Sequence, residues 1–148
     1  MEKITKKAQV VIVATDPEHH TFSFLLLKTN EKRGSFWQNV TGKLEEGETY
    51  EEGGLREAIE ETGLKVESII DVLTLGLKFE FTDQRNRLVH EECFLVILEN
   101  KWPVKIDPHE HQDHKWIGVD DLKDGVVKHP SNFSALKKAR QLLTQWKK

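Results

Sequence analysis

Two hydrophobic periods alternate along this chain. Ala8–Thr15 is a β-branched run with the look of a buried strand, and Thr21–Lys28 is a second strand beyond the turn residues Asp16–His20, placed as its hairpin partner. A polar loop, Thr29–Ser35, leads into a short extended aromatic segment, Phe36–Thr41. The period then changes: Thr49–Gly63 reads as a helix, opened by a capping box of Thr49 with Glu52 three residues on and stopped by Gly63. Val66–Phe81 and Leu88–Leu98 read as strands joined by a polar turn at Thr82–Arg87. Trp116–Val119 is a short strand after a histidine-rich loop, and a last helix follows Pro130. The apolar stripe of that helix, Phe133, Leu136, Leu143 and Trp146, has the spacing of a core-facing side. This order predicts a mixed sheet with helices, α/β or α+β. With no repeat, low-complexity tract or linker, residues 1–148 are expected to form one domain.

Composition narrows the picture. Of the 148 residues, 37% are hydrophobic and 32% charged, the balance of a globular domain with a well-charged surface. A net charge of -3 argues against a stable nucleic-acid partner, since such domains carry a basic excess, but it is compatible with a small phosphate substrate. Cys93 is the only cysteine, so no internal disulfide forms and a reducing, cytoplasmic setting is expected. The lysines near Met1 precede an apolar stretch, Val10–Ala14, that is too short for a secretory signal, and no window approaches the roughly 18 apolar residues of a membrane span. Nothing in the pattern specifies an oligomeric state.

The informative segment is Gly42–Leu64, GKLEEGETYEEGGLREAIEETGL. On a helical projection Leu55, Ala58, Ile59 and Thr62 share one face, and Glu57, Glu60 and Glu61 share the opposite one. Like charges one turn apart repel by a few tenths of a kcal/mol per pair. A face that served only solubility would interleave lysine, whereas three adjacent carboxylates make sense if a divalent cation neutralises them. Oxygen-only ligands favour hard cations, Mg²⁺ first and Mn²⁺ second.

The loop before the helix extends the pattern. Gly42, Glu48, Arg56, Glu57, Glu60, Glu61 and Gly63, with Ala58 and Leu64 at hydrophobic positions, stand in the register Gly, five residues, Glu, seven residues, Arg-Glu-hydrophobic-x-Glu-Glu-x-Gly-hydrophobic. In this the chain resembles the Nudix hydrolase family. All seven strictly specified positions match, and at about 7% per residue type such a match arises by chance roughly once in 10⁸ starting positions. The resemblance implies an α+β Nudix fold, with a mixed β-sheet sandwiched between α-helices. It implies that Glu57, Glu60 and Glu61 hold metal ions with Gly42 giving close backbone approach, and that Arg56 holds Glu48 by a charge-assisted hydrogen bond. Catalytic candidates are therefore Glu61, Arg56 and Glu48. Gly53 and Gly54 depart from ordinary helix composition, each costing roughly 1 kcal/mol relative to alanine; room for substrate and neutral drift are both open explanations.

Outside that box, Phe36–Gly42, Glu110-His111 before Lys115-Trp116-Ile117, and Ser131-Asn132 resemble the dihydroneopterin triphosphate pyrophosphatases of the same family. That resemblance implies hydrolysis of a diphosphate linkage in a nucleoside or pterin triphosphate to monophosphate and pyrophosphate. The alternatives are dinucleoside polyphosphates, nucleotide sugars and RNA 5′ ends, or a binding module without hydrolysis. Such modules usually lose box glutamates, and this chain keeps them. Glu110, in the loop Asp107–His114, is the expected carboxylate outside the box, with Asp113, Glu91 and Glu92 as rivals. Trp37, Lys43 and Arg33 are candidate substrate contacts, Trp37 by stacking on a flat base unless it is core. Lys28, Lys32, Lys78, Arg85 and Arg87 are further candidates for phosphate, though each alone is an ordinary surface charge. Cys93, in an apolar strand, reads as a buried hydrophobe. His109, His111 and His114 would suggest zinc, but loop histidines without cysteine partners are weak grounds for it.

Overall fold

The computed structural model describes residues 3–146. Seven strands form one sheet: β1 (Thr5–Asp16), β2 (Thr21–Thr29), β3 (Trp37–Gln38), β4 (Val40–Lys43), β5 (Ile69–Thr82), β6 (Leu88–Leu98) and β7 (His111–Gly118). Two helices, α1 (Tyr50–Thr62) and α2 (Pro130–Gln145), complete the regular structure. β1 and β6 are parallel, and the other pairings are antiparallel, so the sheet is mixed.

Strand alternation divides the core in two. Val10, Ile12, Leu25, Leu27, Val96 and Leu98 meet Ala58 of α1 on one face. Val11, Val13, Phe24, Leu26, Leu95 and Ile97 meet Ala135, Leu136, Ala139 and Leu143 of α2 on the other. The sheet is thus sandwiched between the helices. Phe133 and Trp146 pack at the margin of the second cluster, which makes the apolar stripe of the last helix core.

β1 pairs with β2 through Ile12–Asp16 but with β4 through Lys7–Val10, while β2 continues onto β3 at Leu27 and Lys28. The segment Trp37–Lys43 therefore fills the wedge where β1 and β2 part. Asn39, fully buried between β3 and β4, pins that wedge to α2. Its backbone N–H donates to Asn132 Oδ1 (2.8 Å) and its Nδ2 donates to Gln9 Oε1 (2.7 Å).

Several elements differ from expectation. β7 begins at His111 rather than Trp116, because backbone pairing with β2 holds a polar stretch, HQDH, that carries no apolar period. Residues Val66–Ser68 form a 3₁₀ turn ahead of β5. The capping box at Thr49 and the left-handed Gly63 terminus are present as read. The paired glycines have a packing reason: a Cβ on Gly54 would stand 3.0 Å from Val10 Cγ2 and 3.2 Å from Ala8 Cβ, and one on Gly53 would stand 2.8 Å from Leu44 Cγ. The helix lies too close to β1 and the loop for side chains there. Neither room for substrate nor drift is needed to explain them.

Candidate active site

α1 runs against the wedge, and its glutamates end in three different environments. The side of the helix toward the sheet is made of Gly53, Gly54, Ala58, Glu61 and Thr62. Glu61 is only 2% exposed, whereas Ile59, placed inward by periodicity, is 37% exposed. Glu57 lies at the margin, and Glu60, 56% exposed at its side chain, points outward to Arg56. The acidic face of the projection is thus divided between interior and solvent.

Arg56 is the hub of the loop-helix unit. Its Nε and Nη2 donate to the two carboxylate oxygens of Glu48 (2.7 and 3.0 Å), a bidentate fork. Nη1 donates to Glu57 Oε1 (2.9 Å) and Glu60 Oε2 (3.1 Å), and Nη2 also reaches the Lys43 carbonyl (3.0 Å). Glu48 in turn accepts from the Glu45 backbone N–H (2.7 Å), so the turn before α1 is braced at both ends. The Arg56 guanidinium holds the Glu48 carboxyl below its usual range.

Glu61 has no such support. Neither of its carboxylate oxygens has a hydrogen-bond partner among the described residues. Burial, with the neighbouring Glu57 carboxylate next in importance, pushes its pKa up to about 10. A buried carboxylate without donors is strongly unfavourable as an anion. Opposite it, Glu110 closes the turn just before β7 and His111 opens that strand; one ligand atom from each of Glu61, Glu110 and His111 lies within 4.8 Å of the others. The turn is anchored rather than free: the Asn30 backbone N–H donates to the Glu110 carbonyl (3.1 Å), and Asn30 Nδ2 donates to the His109 carbonyl (2.9 Å). Asn30 also caps the short turn that carries Arg33, whose charge acts on both Glu61 and His111.

Other candidates lie elsewhere. Gly42 sits directly beneath Glu57, and any Cβ there would overlap Glu57 Cγ and Cδ. Lys43, the next residue, projects from the other face of the sheet. Trp37 packs on the α2 side, with Lys115 Nζ 4.2 Å and Lys28 Nζ 5.9 Å from its ring centre. Among the rivals to Glu110, Glu91 is buried on the α2 side and accepts from Gln9 Nε2 (2.9 Å), away from Glu61. Cys93 is buried beside it with its thiol pushed up to about 12 by burial, as suits a hydrophobe rather than a nucleophile.

Two residues of the site have a different reading or none in the sequence: there His111 is weighed only as a loop zinc ligand, and Gln38 has no role of its own. His111, 1% exposed, is buried on a strand rather than free in a loop, and Gln38 Nε2 lies 3.1 Å from its Nε2. Gln38 was visible as the polar member of Trp37-Gln38, where strand alternation sends neighbours to opposite faces. The donor set as a whole suits a hard divalent cation: Glu61 and Glu110, with Glu57 beside them, offer oxygens to a place where an anion is otherwise uncompensated.

Comparison with known proteins bears on the same elements. Residues 5–137 match the NUDIX domain. The fold resembles that of an Ap4A hydrolase from C. elegans (TM-score 0.78, 22% identity, 96% of this chain and 99% of that one). It also resembles the dihydroneopterin triphosphate pyrophosphohydrolase of E. coli (TM-score 0.75, 25% identity, 95% and 96%). An octanoyltransferase from Myxococcus xanthus is 34% identical over 98 residues; the match spans 64% of this chain and only 26% of that relative's length. Among the described residues no helix is long and apolar enough to cross a membrane. With the domain match spanning nearly the whole chain, the chain belongs to the NUDIX domain family.

Proposed function

We propose that the chain hydrolyses a nucleoside or pterin triphosphate to the monophosphate and pyrophosphate, with Mg²⁺, or Mn²⁺ in its place, held by Glu57 and Glu61 and with Glu110 as the general base beside them. The observation that carries the metal-centred part is Glu61, a buried carboxylate with both oxygens unpaired among the described residues, beside Glu110 and Glu57. When bound, the cation screens phosphate charge and lowers the pKa of the attacking water. Glu110, at the solvent-reaching side of the cluster, takes the water proton as the water oxygen bonds to phosphorus and the anhydride P–O bond breaks. Arg56 keeps Glu48 and Glu57 in place through its fork and its second amine. Arg33, whose charge is felt at Glu61, is set to meet a substrate phosphate. Trp37 and its two lysines, on the far side of the wedge, are the candidate contacts for the flat ring and distal charge, and Lys43 at the sheet margin is a further phosphate contact.

The triphosphate reading is supported by the Phe36–Gly42 and Glu110–Ile117 segments and by the likeness to the E. coli pyrophosphohydrolase. The second reading, a dinucleoside polyphosphate such as Ap4A, is favoured by the likeness to the C. elegans enzyme. The cytoplasm suits a chain whose single cysteine is buried and unpaired. A substrate panel with Mg²⁺ and chromatographic identification of products separates these readings. Release of pyrophosphate from a triphosphate at the highest kcat/KM is expected; higher kcat/KM for Ap4A or for a nucleotide sugar would overturn the triphosphate assignment.

A further inference from the structure

His111 is one of the least exposed polar residues of the fold, yet among the described residues its Nδ1 has no hydrogen-bond partner, and neither has the Glu61 carboxylate. These orphans face one another: His111 Nδ1 stands 3.5 Å from Glu61 Oε1. On the other side of the ring, Gln38 Nε2 lies 3.1 Å from His111 Nε2. With the Gln38 NH₂ turned to the ring, the amide donates, the imidazole Nε2 presents its lone pair, and the ring proton falls on Nδ1. The three residues come from separate strands and a helix, β3, β7 and α1, so the alignment is made by the fold and not by local sequence.

We propose that His111 is a positioning residue for Glu61: Gln38 fixes the imidazole in its Nδ1–H form, and that N–H holds one Glu61 oxygen, leaving the other for the cation. A closure of about half an ångström brings the pair to ordinary hydrogen-bond length. The competing arrangement, His111 as a nitrogen ligand of the metal, needs the opposite tautomer, with Gln38 accepting through its oxygen. The relay does for a carboxylate ligand what outer-shell partners do for metal-bound histidines, orienting it and fixing which atom is offered.

The proposal rests on the reading of Glu61 as a metal-binding carboxylate, but its first test needs neither metal nor substrate. In the ¹⁵N-labelled full chain without metal, long-range ¹H–¹⁵N correlation should show His111 Nδ1 protonated and Nε2 unprotonated, with the signals assigned by their loss in His111→Asn. Gln38→Glu, which can only accept, should reverse the two nitrogens. With Mn²⁺, His111→Leu should weaken metal binding by about 10–100-fold, while His111→Asn, whose amide takes the place of Nδ1–H, should stay within about threefold of wild type. An unprotonated Nδ1 in the wild-type spectrum, or a ¹⁴N coupling from His111 in the spin-echo spectrum of bound Mn²⁺, would overturn the proposal. So would wild-type Mn²⁺ affinity in a folded His111→Leu. If Mn²⁺ leaves Glu61 unperturbed while Nδ1 is protonated, the metal reading of Glu61 fails and the Gln38–His111 geometry stands.

Discussion

Gly42 and Glu57 share one volume: the space a Gly42 side chain would occupy is filled by the Cγ and Cδ of Glu57, folded across the backbone of β4. The glycine at the start of the box is therefore tied to the first glutamate of the helix by packing. Gly42→Ala should displace Glu57 while leaving the sheet intact, because the atoms in the way belong to a side chain that can rotate aside. Turnover should fall by about 100-fold or more if Glu57 is a metal ligand, with a loss of stability of at most about 1–3 kcal/mol from overpacking. Steady-state kinetics and thermal melts on the same variant separate the two effects; an alanine enzyme with wild-type kcat would detach Gly42 from the chemistry.

Glu61→Gln should raise the melting temperature of the metal-free protein and abolish turnover. The folded chain keeps a proton on Glu61 up to about pH 10, whereas the unfolded chain releases it near the ordinary value of 4.5. This group's contribution is therefore fully present below pH 4.5 and falls as pH rises through that window. Metal-free wild type should lose stability between pH 7 and pH 9 of that range, and Glu61→Gln should lose less. Mg²⁺ binding should strengthen with pH over the same interval, since the cation displaces the proton. Equal slopes for the two proteins in pH-resolved melts would contradict the assignment.

Glu110→Gln should lower kcat by about 100-fold, the usual size of a general-base contribution, with a much smaller change in KM. Glu91 accepts from Gln9 on the opposite side of the sheet, so Glu91→Gln should affect folding more than turnover. A silent Glu110→Gln beside a catalytically dead but folded Glu91→Gln would move the base to β6.

Gly54→Ala tests the packing account of the paired glycines. Alanine gains about 1 kcal/mol in helix propensity, but its Cβ would press on Val10 and Ala8 at 3.0 and 3.2 Å. A net loss of about 1 kcal/mol is expected, lowering the melting temperature by roughly 2–4 °C. A stabilised variant would show that α1 can move off β1 without strain.

Most of the scaffold was legible because its strands are long and apolar and its helix is capped by side chains with a known grammar, Thr49 with Glu52 and then Gly63. β7 was not, since its polar residues are held by pairing with β2 rather than by burial. Glu61 was legible as a member of the box but not as a buried one: periodicity weighs hydrophobicity, and that preference placed Ile59 inward in its stead. The Gln38–His111–Glu61 alignment joins residues far apart in sequence: the register of β2 with β3 and β7 brings Gln38 and His111 together, and the packing of α1 on the sheet adds Glu61.

The most direct test is the rate of triphosphate hydrolysis against free divalent cation, from excess chelator upward. Turnover should be absent in chelator, recover fully with Mg²⁺ or Mn²⁺, and recover poorly with Ca²⁺, whose longer and looser coordination suits the site less. Undiminished hydrolysis in excess chelator would contradict the metal-centred reading.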